Sequence, residues 1–315
     1  MHAFPSSSGF PDDFPDDPID DLDDAALRRT IDDLARLRRQ GAGSAAPESR
    51  PSGSSTPDPA ADGMASGDGP TEDTYWGLSR TPLTSLVFTL PLVLAYEGGV
   101  LLLGRGTPRN GADVWLRHLL DALGFGAYFL LPALTVLGLL AWHHVEHERW
   151  RYSTAVLVGM AGECVLWALA LVGVARLQER FWPLGIGGLL ADGLCQFGLV
   201  QEGHGWGGVF ARLIGFCGAG LYEEVLFRLL LLPAVLWTLE RLGFSTLAAC
   251  LWSLVLTSLL FSAAHYVGPL GDTFELYSFT FRALAGCFFG TLFLLRGFGI
   301  AAGTHACYDL IIGLL

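Results

Sequence analysis

Residues 218–232 read GAGLYEEVLFRLLLL. The stretch is apolar apart from Glu223, Glu224 and Arg228. A charge at the centre of a bilayer costs roughly 2.5–3.5 kcal/mol on insertion scales, so three in one run need a reason. Either they pair with one another, or they face a polar interior shared with other helices. Glu224 and Arg228 are i, i+4 and share a helix face. Glu223 lies about 100° round the helix from Glu224, so the two adjacent carboxylates need not do the same work.

The chain around this run is built for lipid. It has 315 residues, 51% of them hydrophobic, which is too apolar for an ordinary soluble domain. Apolar runs predict spans at about 82–104, 122–142, 153–175, 209–237, 246–265, 277–295 and 298–315, each near the roughly 20 residues that cross a bilayer. A glycine-rich stretch at 181–208 reads as a loop or a re-entrant segment, and Pro233 predicts a kink. Only helices and closed barrels span lipid, and barrels alternate with period two. The expectation is therefore an all-α protein, a polytopic transmembrane bundle of about seven spans. Arginines flank both sides of that bundle evenly, so orientation is not readable from them.

Before residue 76 the material differs. Residues 1–73 hold 16 Asp/Glu and 6 Arg, while the rest of the chain holds 15 and 13. The acidity thus belongs to the tail. Its Asp, Pro, Ser and Gly predict disorder over 1–75, preceding a transmembrane domain at 76–315. Within it, DDAALRRTIDDLARLRR puts Leu27, Ile31 and Leu34 on one face and allows a short helix. No signal peptide is expected, because the N-terminus lacks an apolar h-region. All 19 basic residues are arginine, which reads as a GC-rich bacterial coding bias and points to a bacterial inner membrane. The six cysteines form no CxxC pair and read as buried reduced thiols. The expected partners are the lipid bilayer and a membrane-associated protein or peptide; no nucleic-acid partner is expected.

Other ionisable groups interrupt the last four spans: His265, Arg282, His305 and Asp309. His305 and Asp309 are i, i+4, as are Phe261 and His265. Each feature has a plain structural reading. Glu224 and Arg228 can pair only to let the helix insert, and a lone His265 can be a satisfied core histidine. Their conjunction on separate helices points instead to one shared polar centre. His143, His144 and His147, with Glu146 and Glu148, form a second cluster that could bind metal; a polar interfacial cap is the simpler reading. Glu97 and Glu163 either line a cavity or hydrogen-bond between helices, the latter being expected.

EEVLFR at 223–228, FSAAH at 261–265 and HACYD at 305–309 resemble, in order, the EExxxR, FxxxH and Hxxx(N/D) motifs of the CPBP family. That family holds the CAAX-processing endopeptidases, including the Ras-converting enzyme type, and bacterial relatives linked to bacteriocin immunity. The resemblance covers roughly residues 150–315. LAYEGG in the first span also resembles bacterial members. The resemblance implies a membrane-embedded, CAAX-type metalloendopeptidase-like protease. No GxSxG motif is present, and Cys307, two residues from His305, faces another side of the helix. Water activated by carboxylate and imidazole remains as nucleophile.

By the same resemblance Glu223 is the general base and His265 holds the water. His305 and Asp309 sit at the oxyanion, and Glu224 and Arg228 orient these groups. Many eukaryotic and archaeal CAAX enzymes carry Asn where this chain has Asp309. An ionised Asp would repel an oxyanion, so Asp309 is protonated, orients His305 or binds metal. Glu223, His265 and His305 are the right donor types for a zinc ion, although HExxH is absent. No organic cofactor is expected. Three rivals use the same buried groups: a non-proteolytic membrane scaffold, a transporter or proton relay, and a haem protein ligated by His265 and His305.

Overall fold

The computed structural model describes residues 74–104, 109–126, 129–147, 149–182, 206–268 and 271–314. The acidic tail, its short helix and most of the 181–208 stretch lie outside the described residues. Helix α1 is Tyr75–Leu78, α2 is Pro82–Leu103, α3 is Gly111–Ala122, α4 is Leu130–Val145 and α5 is Thr154–Phe181. Helix α6, Trp206–Gly218, continues through π-helical segments Ala219–Glu223 and Val225–Leu231 into α7, Leu232–Arg241. Then follow α8, Thr246–Ala264, α9, Leu276–Arg296, and α10, Phe298–Leu314. No strand occurs among the described residues.

Four of these helices, α2, α5, α8 and α9, are long and apolar enough to cross a membrane. Helix α4 is apolar but has 16 residues, and α10 has 17. The motif-bearing helix is divided between α and π segments. The described residues therefore carry four full-length spans where the sequence predicts about seven. Outward-facing Leu94, Leu102, Val158, Leu166 and Leu247 are exposed, as a lipid-facing surface requires.

The second expected span, 122–142, is displaced. An amphipathic helix, α3, ends where that span was to begin. Gly124, at φ +87, closes it: its N–H donates to Asp121 O and the Phe125 N–H to Leu120 O. That left-handed glycine stops the helix, and α4 starts eight residues after α3 ends, at Leu130.

Helix α10 lies at the centre, packed against α2, α5, α6, α9 and the first π segment. Phe298, Ile300, Ala301, Ala302 and Thr304 are completely buried. Its small residues let neighbouring backbones approach, the usual device where lipid supplies no hydrophobic drive between helices. The tightest approach is opposite Gly220, where an added Cβ would lie 2.6 Å from the Ala306 nitrogen and from its Cβ. This contact seats the first π segment, and Glu223 with it, against α10.

The π segments coincide with the EEVLFR motif. Pro233 cannot donate to the Leu229 carbonyl and its ring presses on it. Widening the preceding turns over Val225–Leu231 relieves that clash, so the expected disturbance at Pro233 takes the form of π-helix.

Glu163 serves between helices. Arg296 grips both its carboxylate oxygens, Nε at 2.6 Å and Nη2 at 2.7 Å. The Tyr75 hydroxyl donates to the same group at 2.5 Å, and burial plus this carboxylate push the tyrosine up to about 12. Arg296 also lies 3.9 Å over the Trp76 ring. This clasp ties α1 to α5 and α9.

Candidate active site

Glu223 and Glu224 leave the junction of the two π segments in different directions. Glu224 is completely buried. Its Oε1 lies 3.1 Å from Arg228 Nη1 and 2.7 Å from His305 Nδ1. Arg228 in turn donates to the Gly286 carbonyl at 3.1 Å and sits 4.4 Å over the Phe261 ring. The pair expected within one helix is thus a bridge linking the motif helix to α8, α9 and α10.

That bridge orients His305. A carboxylate can only accept, so Nδ1 carries the hydrogen and Nε2 points the other way. The ring stacks on Phe289 at 4.4 Å with 13° between planes. Nε2 then lies 3.8 Å from Glu223 Oε2 and 3.7 Å from Asp309 Oδ2. His265 is oriented in the same way by backbone: its Nδ1 donates to the Phe261 carbonyl at 2.8 Å. Its Nε2 also faces Glu223 Oε2, at 3.8 Å. Two imidazoles on different helices therefore converge on one carboxylate oxygen. That oxygen is buried and has no hydrogen-bond partner.

The other Glu223 oxygen is held. Asn110 Nδ2 donates to Oε1 at 2.8 Å. Sequence reading missed Asn110. Its place before an amphipathic run marks it as a helix N-cap, and its Oδ1 does accept from the Ala112 N–H at 2.8 Å. Nothing local shows that its amide reaches a carboxylate 113 residues away.

A cavity of about 350 Å³ opens beside these groups. Asn110, Glu223, His265 and Asp309 line it together with Arg109, Arg282 and apolar Trp115, Phe216 and Phe227. Both Asp309 oxygens are buried without a hydrogen-bond partner. His305 is therefore oriented by Glu224, and Asp309 lies beyond hydrogen-bond reach of it.

These groups meet one of the two requirements of a zinc site. The donor chemistry fits: each histidine gives its Nδ1–H to a carboxylate or carbonyl and turns Nε2 inward, as metal-binding histidines do. The spacing does not. Tetrahedral zinc sets its ligand atoms about 3.4 Å apart, and both distances to Glu223 Oε2 are 3.8 Å. Among the described residues no three His, Cys, Asp or Glu are grouped to hold a metal ion. This includes the second histidine cluster. There His143 is completely buried and edge-on to Trp150 at 4.7 Å, and Glu148 lies outside the described residues.

Glu97 hydrogen-bonds between helices, accepting from Tyr222 at 2.6 Å and pairing with Arg117 at 2.9 Å. Arg117 also reaches Asp113 at 2.6 Å, and the Tyr96 hydroxyl donates to Asp113 at 2.9 Å. This buried network binds α3 to α2 and to the first π segment.

Comparison with known proteins places these motifs. Residues 205–311 match the family described as Type II CAAX prenyl endopeptidase Rce1-like. The match spans EEVLFR, FSAAH and HACYD and supports membership in the CPBP family, a family of membrane-embedded proteases. No curated protein and no solved structure gave a significant match to the chain.

Proposed function

We propose that the protein is an integral, multi-pass membrane endopeptidase of the CAAX-processing type, with about seven membrane crossings, that hydrolyses a peptide bond of a membrane-associated substrate. One observation carries the reading. Glu223 Oε2, buried and without a partner, faces two imidazole nitrogens at 3.8 Å on the wall of a cavity. At 3.8 Å the two imidazole nitrogens are out of direct hydrogen-bond reach of that oxygen, and a water admitted from the cavity is the partner this reading supplies to it.

In this reading the water enters from the cavity side and hydrogen-bonds to both Glu223 Oε2 and His265 Nε2. Glu223 takes its proton as the oxygen attacks the scissile carbonyl. The oxyanion accepts a hydrogen bond from His305 when that ring carries a proton on Nε2 as well as Nδ1. Glu223 then passes its proton to the leaving amine as the C–N bond breaks. Glu224 and Arg228 hold His305 in place, and Asn110 holds Glu223.

The test uses the full chain reconstituted in lipid vesicles. Peptides ending in a prenylated cysteine and three further residues are compared with unprenylated peptides. Wild type is expected to release a fragment and Glu223→Gln none. Equal cleavage by both proteins would remove Glu223 as base. A wild type that cleaves neither peptide class, with no cut substrates found by comparing membrane proteomes of the two strains, would favour the scaffold reading. Turnover that vanishes on chelation and returns with zinc would add a metal to the site.

A further inference from the structure

The family match begins at residue 205, yet the proposed base is held by a side chain well before it. We infer that Asn110 is a positioning residue for Glu223, so that the functional unit includes the α2–α3 corner as well as the matched segment. This rests on the endopeptidase reading of Glu223.

Asn110 has two polar ends and both are committed. Its Oδ1 accepts from the Ala112 N–H and caps α3. That leaves Nδ2 as the end facing Glu223, where it donates to Oε1. The amide orientation is thus dictated by chemistry on both sides, since an N–H donor and a carboxylate acceptor cannot be exchanged. The backbone is pinned too. The Asn110 N–H donates to the Tyr96 hydroxyl at 3.2 Å, and Tyr96 donates to Asp113 one turn on. Asp113 also pairs with Arg109 at 2.7 Å and with Arg117.

The consequence for Glu223 is directional. A glutamate has three rotatable side-chain bonds and would otherwise swing its carboxylate into the cavity. With Oε1 tied to Asn110, Oε2 is left facing His265 and His305. A base must sit within hydrogen-bond reach of the proton it removes, and small displacements of a reacting group are expensive in rate. Holding one oxygen therefore determines where the other can act.

The test separates the cap from the donor. Asn, Asp and Ser are comparable N-caps, so Asn110→Ser and Asn110→Asp keep α3 but lose the amide donor. If Asn110 only capped the helix, all three proteins would turn over alike. The inference expects kcat to fall roughly 10- to 100-fold in Asn110→Ser, the range for losing one hydrogen bond to a charged group. It expects a larger fall in Asn110→Asp, where an acceptor faces Glu223. KM should stay close to wild type for Asn110→Ser, while the melting temperature in detergent falls modestly because a buried carboxylate oxygen loses its donor. Unchanged kcat in both variants would overturn the inference.

A second measurement decides without turnover, so failure of the protease reading stays distinguishable. The Glu223 carboxylate band is assigned as the infrared difference between wild type and Glu223→Gln. It should shift in Asn110→Ser, because the carboxylate loses a donor. An unshifted band would overturn the positioning role even if no substrate were ever cleaved.

Discussion

His305 is held by Glu224: Nδ1 lies 2.7 Å from Oε1, with both side chains buried. The carboxylate also carries the ion pair with Arg228 at 3.1 Å. One group thus satisfies a guanidinium and orients an imidazole whose far nitrogen faces Glu223.

Removing either end of that bridge should damage the fold as well as turnover. Arg228→Ala strands the buried Glu224 carboxylate, and breaking a buried pair costs roughly 3–5 kcal/mol. It also empties the space over Phe261. Thermal unfolding in detergent should show a marked loss of stability, with activity lost alongside. A melting temperature equal to wild type would mean that Glu224 finds another partner.

Glu223→Gln should separate from Arg228→Ala. Gln keeps the volume and can still accept from Asn110 through its carbonyl. A general base contributes typically 10²–10⁴-fold, so turnover should fall at least that far. Stability should hold or rise, because a buried charge is gone. Melting curves beside single-turnover assays on the same preparations check both halves.

Asp309→Asn addresses the position at which the Hxxx(N/D) motif admits either residue. Both Asp309 oxygens are buried without hydrogen-bond partners, and the residue lines the cavity. A carboxylate repels a developing oxyanion, whereas an amide can donate to it. The variant should therefore keep turnover within about threefold of wild type or exceed it, as order-of-magnitude reasoning from one weak hydrogen bond suggests. A loss beyond tenfold would show that the carboxylate itself is required.

Gly220→Val tests the backbone contact that seats the π segment. A Cβ there would meet the Ala306 backbone at 2.6 Å, and neither helix can give way without shifting Glu223 relative to His305. Overpacking of this kind costs about 1–3 kcal/mol. Melting temperature and turnover should fall together, with turnover the more affected. Wild-type turnover in a folded Gly220→Val protein would show that the approach is not needed.

The amino-acid sequence alone determined that Glu223, Glu224, Arg228, His265, His305 and Asp309 interrupt apolar helices. It did so because charge in a lipid-length run is costly wherever the helices pack. It also determined the i, i+4 registers, since those are properties of a single helix. Three features were decided only by tertiary structure. Glu224 joins His305 across 81 residues, a contact that depends on how α10 lies against the π segment. Asn110 reaches Glu223 because the network around Asp113 brings α3 to the motif helix. The limits of the individual helices also escaped, because hydropathy counts apolar residues but not the Gly124 break or the widened turns before Pro233. Those are matters of backbone geometry, and a polar group's partner across a bundle is set by packing rather than by its neighbours in the chain.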